Sequence, residues 1–378
     1  MMYTTRFLAK VRSELETPRA QRPFGSGWLS GSIGLLAAIV GLLMVIVLRN
    51  PSLSRTPELA AVHASGFFKP ALYFVLVSGF VLACLSMMLR KDKSLGSAAM
   101  AVTLLATLIG GLPAHRDYQL GGVFFGLDFF ILNILFTGAL FIPIERILPK
   151  HKEQVVLREE WREDLFYYLV SSLFVQILTY LTLAPSNFIA HSHDMGSLRA
   201  FVREWPWAIQ FLAIMLLTDL AQYWLHRAFH IIPALWRLHA VHHSARTMDW
   251  IAGARMHFLE IIMLRAVTAT PALAIGFDES AIQAYVLLVY VYSTFVHANI
   301  GTNFGWLEKL LVMPRFHHWH HGVEDEAVDV NFAIHFPFLD RLFGTYHLPD
   351  GKWPNGYGVQ GHPVPKGYWK QLLYPFQR

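Results

Sequence analysis

Apolar runs of bilayer-spanning length recur along the chain at about 28–48, 71–89, 122–142, 165–184 and 206–225, with a shorter run at about 97–112. A helix rises 1.5 Å per residue, so roughly 20 apolar residues cross a hydrocarbon core of about 30 Å. The pattern therefore predicts six membrane helices before residue 226. Two more apolar runs follow, 259–275 and 281–297, joined by the polar turn GFDES. They predict a helical hairpin, and Arg265 and Pro271 in its first arm leave the depth of that arm open.

Composition agrees with the pattern. Of the 378 residues, 54% are hydrophobic and only 15% charged, too apolar a balance for a soluble globule. Five basic and two acidic residues precede the first apolar run. That run is too long for a signal-peptide core and lacks a following cleavage pattern, so a retained span is expected. The fold class expected is all-α: a polytopic membrane protein with a transmembrane helix bundle and a cytoplasmic helical cap.

Charge sets the expected orientation. With the N-terminus in the cytoplasm, 24 of the 31 Lys and Arg residues fall in cytoplasmic connections, as the positive-inside bias requires. The net charge of +5 is spread over membrane-flanking loops without aromatic interleaving, so no nucleic-acid partner is expected. The single cysteine, Cys84, lies within an apolar run. This excludes a disulfide framework, a thiolate zinc site and an iron–sulfur cluster built by this chain.

The candidate chemistry is concentrated in histidine. Eleven of the nineteen histidines lie between His226 and His321, and nine of them fall in three boxes, HRAFH at 226–230, HAVHH at 239–243 and HHWHH at 317–321, of which eight keep a shared register. Spacings of i, i+3 and i+4 bring imidazoles to one side of a helix, where their nitrogens can converge on metal ions. The candidate ligands are His226, His230, His239, His242, His243, His317, His320 and His321, with His297 added because it ends an apolar helix beside the same layer. His318 breaks the shared His-x-x-His-His register and is read as a non-ligand. His257 is left open as a ligand or a supporting donor, and His63, His115, His191, His193, His335, His347 and His362 are read as loop histidines. Nine imidazoles exceed what one ion takes, which points to two. Upstream, Asp219 and Tyr223 share the helix face of His226 and His230, so Asp219 is expected to orient a ligand imidazole, with Tyr223 beside it.

The boxes, together with DLAQYWLHRAFH, LHAVHHSA, MPRFHHWHH and NFAIHFPFLDRLFGTYHLP, resemble the fatty acid hydroxylase / sterol desaturase superfamily over about 143–350. The resemblance implies a membrane-embedded, non-haem di-iron oxygenase with the nine histidines as iron ligands. It also implies O2-dependent hydroxylation or desaturation of a lipid C–H bond, on a substrate entering from the bilayer. Three positions depart from the family's usual pattern, Phe258, Ala333 and Leu339. None removes a ligand, and all bear on the shape of the pocket. On this reading residues 1–27 are a cytoplasmic tail, 28–142 a transmembrane region of about four helices, 143–350 the catalytic domain and 351–378 a C-terminal tail.

Electrons are expected from NAD(P)H through a separate reductase with a ferredoxin or cytochrome partner. The only GxGxxG, at Gly356, Gly358 and Gly361, has no preceding strand and no room for a βαβ unit, so it is read as a loop. The expected location is a bacterial inner membrane, with the boxes facing the cytoplasm. Three alternatives remain: an ether-lipid (alkylglycerol-type) monooxygenase using the same boxes, a histidine-rich metal transporter, and a non-catalytic relative that senses or scaffolds lipid.

Overall fold

The structure, a computed structural model, describes residues 2–18, 21–50, 66–111, 127–174, 195–361 and 363–377, together with scattered positions between 175 and 194. Expectations for His63, His115, His191, His193 and His362 lie outside these residues, as do the start of the 122–142 run and most of the end of the 165–184 run. The described residues form α-helices, short 3-10 turns and loops, with an isolated antiparallel bridge between Gly322 and Tyr357. Two compact units divide the chain, one ending at Val156 and the other running from Leu157 to Arg378.

The first unit contains α1 (Met2–Leu15), α2 (Trp28–Arg49), α3 (Phe68–Leu89), α4 (Ser94–Gly111) and α5 (Leu127–Ile147). Small residues bring α2 and α3 together. A methyl on Gly34 would come within 3.0 Å of the Ala83 backbone nitrogen, and one on Gly79 within 3.0 Å of that of Ala38. Large apolar side chains point outward, with Leu36 61% and Phe74 73% exposed. Small residues inside and large apolar ones outside suit a bundle whose solvent is lipid. The N-terminal segment expected as a tail is a helix packed on this bundle. Val11 meets Leu95 and Ala98, the Trp28 indole donates to the Glu14 carbonyl at 2.8 Å, and Arg90 pairs with Glu14.

The second unit contains α6 (Trp161–Leu173), α7 (Gly196–Arg203), α8 (Trp207–Ile231), α9 (Pro233–His243), α10 (Phe258–Ile275), α11 (Glu279–His297), α12 (Pro314–His320), α13 (Phe338–Phe343) and α14 (Tyr368–Leu373). Among the described residues, five helices are long and apolar enough to cross a membrane: α2, α3, α8, α10 and α11. Helix α10 runs without interruption past Arg265 and Pro271. Its 18 residues span about 27 Å. At the far end of α8, Ile214 and Met215 pack with Ala272 and Phe277 at the turn and with Ala281 and Tyr285 of α11. The turn is closed by Gly276, left-handed at φ 82°, and by Asp278, whose side chain accepts the Ser280 N–H at 2.9 Å.

Helix α8 continues well past its apolar stretch and carries the first box in its last two turns. Ile232 then adopts an extended conformation, and Pro233 occupies the first position of α9, where its missing N–H costs nothing. The break re-aims the chain, so that α9 folds back with the second box against the first. His297 is the last residue of α11, and α12 supplies the third box. The sequence-expected C-terminal tail is packed on this unit: Gln371 accepts from the Tyr167 hydroxyl at 2.8 Å, and Arg237 donates to the Gln377 carbonyl at 2.7 Å. Gly356, Gly358 and Gly361 lie in a loop, two of them at positive φ.

Candidate metal centre

Nine histidines gather into two groups: His226, His230, His239, His243 and His320 in one, and His242, His297, His317 and His321 in the other. Within each group, one nitrogen from every ring lies within 4.8 Å of the others. These are the nine residues singled out from spacing and position. Helix geometry explains how they divide. Residues four apart differ by about 40° around the axis, and adjacent ones by about 100°. On α9, His239 and His243 face the first cluster and His242 the second. On α12 the use is reversed: His317 and His321 face the second cluster and His320 the first. Each His-x-x-His-His box therefore serves both clusters, in exchanged roles. The clusters adjoin, with the His243 and His321 rings stacked 4.3 Å apart.

The outer nitrogens are held in place. Nδ1 of His226 lies 2.8 Å from the Phe332 carbonyl, that of His320 2.8 Å from the Val330 carbonyl, that of His242 3.0 Å from the Arg255 carbonyl and that of His297 2.7 Å from the Ser293 carbonyl. Nδ1 of His239 meets the Glu260 carboxylate at 2.6 Å, and that of His230 meets Asp329 at 3.2 Å. A carbonyl or carboxylate only accepts, so these Nδ1 atoms carry the protons. The Nε2 atoms of neutral rings then present lone pairs, and these converge: His226 on His239 at 3.0 Å, His239 on His243 at 3.1 Å, His242 on His297 at 3.3 Å, and His297 on His317 at 3.0 Å. The Nε2 atoms of His230 and His320 have no hydrogen-bond partner among the described residues. Burial pushes His239, His242, His243, His317, His320 and His321 well below the ordinary imidazole value of 6.5, which keeps them neutral. Buried lone pairs aimed at one another are a poor arrangement for a protein alone and a good one around a cation.

Asp219 does not touch an imidazole. Its carboxylate accepts the backbone N–H groups of Ile334, His335 and Phe336 at 2.8, 3.1 and 2.7 Å. It shares the face of His226, but seven residues place that ring about 10 Å along the axis, beyond a two-carbon side chain, so it satisfies nearer donors. The Tyr223 hydroxyl pairs with Thr345 at 2.8 Å and likewise reaches no ring nitrogen. His257 belongs to neither cluster: it caps α10 through the Leu259 N–H and bonds the Leu372 carbonyl at 3.1 Å. His318 also lies apart, its Nδ1 2.9 Å from the Tyr357 hydroxyl. His335 lies in a loop as expected, fully buried there and bonded to Tyr285 at 3.1 Å.

Spacing did not reveal Glu260, Asp329, Arg255 or Asp340. Glu260 carried a usable signal, being a lone carboxylate at the start of an apolar run and fully buried. Arg255 is held by Asp164 at 2.6 Å, within a buried group of charges that includes Arg158, Asp249 and Glu160.

Helices that cross a membrane, joined to a buried two-cluster imidazole site at their ends, define an integral membrane protein with a centre suited to metal-dependent oxidation. A family model described as fatty acid hydroxylase matches residues 211–345. The chain is 26% identical to an ornithine lipid hydroxylase of Rhizobium tropici, over 76% of this chain and 86% of that one. It is 29% identical to human alkylglycerol monooxygenase, over 42% of this chain but only 34% of that protein. It is also 27% identical to a Dictyostelium discoideum protein named for methylsterol monooxygenase activity, over 59% of this chain and 86% of that one. No solved structure matches. Residues 211–345 therefore match the fatty acid hydroxylase family, and the relatives this chain resembles carry names of lipid hydroxylases and monooxygenases.

Proposed function

We propose that the nine histidines hold two iron ions and that the protein uses O2 to oxidise a C–H bond of a membrane lipid. The observation carrying this reading is the convergence of neutral Nε2 lone pairs while the Nδ1 protons are turned outward. Imidazole ligands suit iron, and an unactivated C–H bond calls for an oxidant that acid–base side chains cannot supply. When bound, the ion pair would supply the reduction of O2. The protein's share is to fix the rings, exclude water and present the substrate.

Glu260, Asp329 and the carbonyls of Val330, Phe332, Arg255 and Ser293 lock ring orientation and tautomer. Phe229 stacks on His239, and Phe332 packs against His226, His230 and His320, which keeps this side of the site apolar. His226, His230 and His297 lie at the ends of α8 and α11 rather than midway along them, which supports a site at the membrane boundary, where a lipid can arrive sideways. Hydroxylation consumes one O2, two electrons and two protons per C–OH formed and releases water. The electrons come from a separate reductase with a ferredoxin or cytochrome. Trp236 is partly exposed and packs 5.1 and 5.6 Å from the His230 and His243 rings, which makes it the side on which a donor would approach.

The boxes face the cytoplasm of a bacterial inner membrane, on the strength of the Lys and Arg distribution. The substrate is an acyl-bearing polar lipid, supported by the long overlap with the ornithine lipid hydroxylase. Metal analysis of protein purified from iron-replete cells should find about two irons per chain. Lipid profiling of cells with and without the gene should find a species heavier by one oxygen or lighter by two hydrogens. Iron-free protein, or an unchanged lipid profile, would overturn the reading. Release of a fatty aldehyde from an alkylglycerol would instead favour ether-bond cleavage.

A further inference from the structure

We propose that the loop 329–336 is a clamp serving only the first histidine cluster, and that Asp219 is its positioning residue, so that the two metal sites are held by separable parts of the fold. The inference rests on the metal-centre reading above and assigns a division of labour within it.

The loop supplies the outer partner of three of the five rings in the first cluster: Asp329 for His230, the Val330 carbonyl for His320 and the Phe332 carbonyl for His226. It supplies none of those identified in the second cluster, where His242 and His297 rely on the carbonyls of Arg255 and Ser293. The loop backbone also turns sharply at two residues of a type that tolerates the left-handed region. Asp329 and Asn331 sit at φ 55° and 60°, in the left-handed region.

Three buried polar side chains hold it. Asn331 donates to the carbonyls of Phe316 and His347 and accepts the His347 N–H. Asp340 accepts from the backbones of Phe332 and Ala333 and from Thr345. Asp219 takes the next three backbone N–H groups. Because Asp219 lies two turns before His226 on α8, one helix presents a ligand ring and anchors the strap that orients it. Removing the carboxylate leaves three backbone N–H groups, that of His335 buried, without their acceptor. The loop then shifts, and the rings of the first cluster lose their fixed aim.

The test is a titration of chelator-stripped protein in lipid nanodiscs with Co2+ alone, followed by visible absorption and by bound equivalents. Wild type should take up two equivalents. Asp219→Ala should keep one at wild-type affinity and bind the other about 10–100-fold more weakly, the usual cost of losing outer-sphere support. Gly253→Ala is the reciprocal control, since its methyl would fall 2.8 Å from Nδ1 of His297, and it should weaken the other equivalent. Equal weakening of both sites by Asp219→Ala, or of neither, overturns the proposal. If that variant is not recovered folded, Asp219→Asn and Thr345→Val loosen the same clamp by single bonds and are read by the same criterion. Wild-type protein that binds no metal would overturn the metal centre itself, a result distinct from two intact but jointly weakened sites.

Discussion

At the scale of single residues, the centre is defined by which nitrogen carries the proton. Glu260 makes the point most directly: fully buried, it holds the Nδ1 proton of His239 at 2.6 Å and turns Nε2 inward. A carboxylate behind an imidazole also raises the basicity of the ring as a ligand. Glu260→Gln keeps the shape and an acceptor oxygen but removes the charge. It should weaken metal binding at the first cluster by about 10–100-fold, measured by titration against a competing chelator, and an unchanged affinity would show that the charge contributes nothing. Glu260→Ala should in addition cost about 1–3 kcal/mol of stability, because a buried N–H loses its acceptor. Thermal unfolding of the metal-free protein measures that cost.

At the scale of elements, α9 and α12 are short helices whose value lies in their register. Each directs two rings one way and the intervening ring the other, which a helix does automatically at 3.6 residues per turn. An alanine inserted after Ala240 would swing His242 and His243 by about 100° relative to His239. Both sites should lose ligands together, so neither should retain metal in the titration while the helical circular-dichroism signal stays close to wild type. Gly253 acts on a neighbouring element. The turn Ala252–Ala254 passes so close to His297 that a single added methyl overlaps the ring. Beyond its effect on metal, Gly253→Ala should lower stability by about 1–3 kcal/mol, as overpacking of a well-filled interior does.

Across the whole molecule, the buried histidines make stability depend on pH in a definite direction. Six rings outside the membrane helices have values pushed well below 6.5 by burial and by one another. As pH falls below 6.5 the unfolded chain takes up protons that the folded chain refuses, so folding loses stability. Asp340 works the other way. Burial pushes its carboxyl up to about 6, so its contribution favours the folded chain at low pH and is lost as pH rises through about 6. Burial also raises the carboxyls of Glu163 and Asp164, but the six imidazoles outnumber these carboxyls, and protons also compete with metal for the same nitrogens. Melting temperature and bound metal should therefore both fall between about pH 6.5 and pH 5, with the metal-free protein showing the melting trend alone. A melting temperature that rises over that interval would contradict the buried, neutral state of the rings.

Much of this was legible in the amino-acid order because its physics is local. Apolar runs of bilayer length mark helices whatever surrounds them, and the observed α2, α3, α8, α10 and α11 lie where those runs lie. Box spacings select ring directions for the same reason: the turn of a helix is set within four residues. What followed from tertiary structure alone are pairings across long separations. Asp219 and His335 are 116 residues apart, His226 and Phe332 are 106, and His239 and Glu260 are 21, distances over which no periodicity carries information. Side-chain reach settled the rest. Asp219 lies on the right face but too far down the helix to meet an imidazole, and the allotment of nine rings to two clusters depended on how α9 and α12 pack against α8.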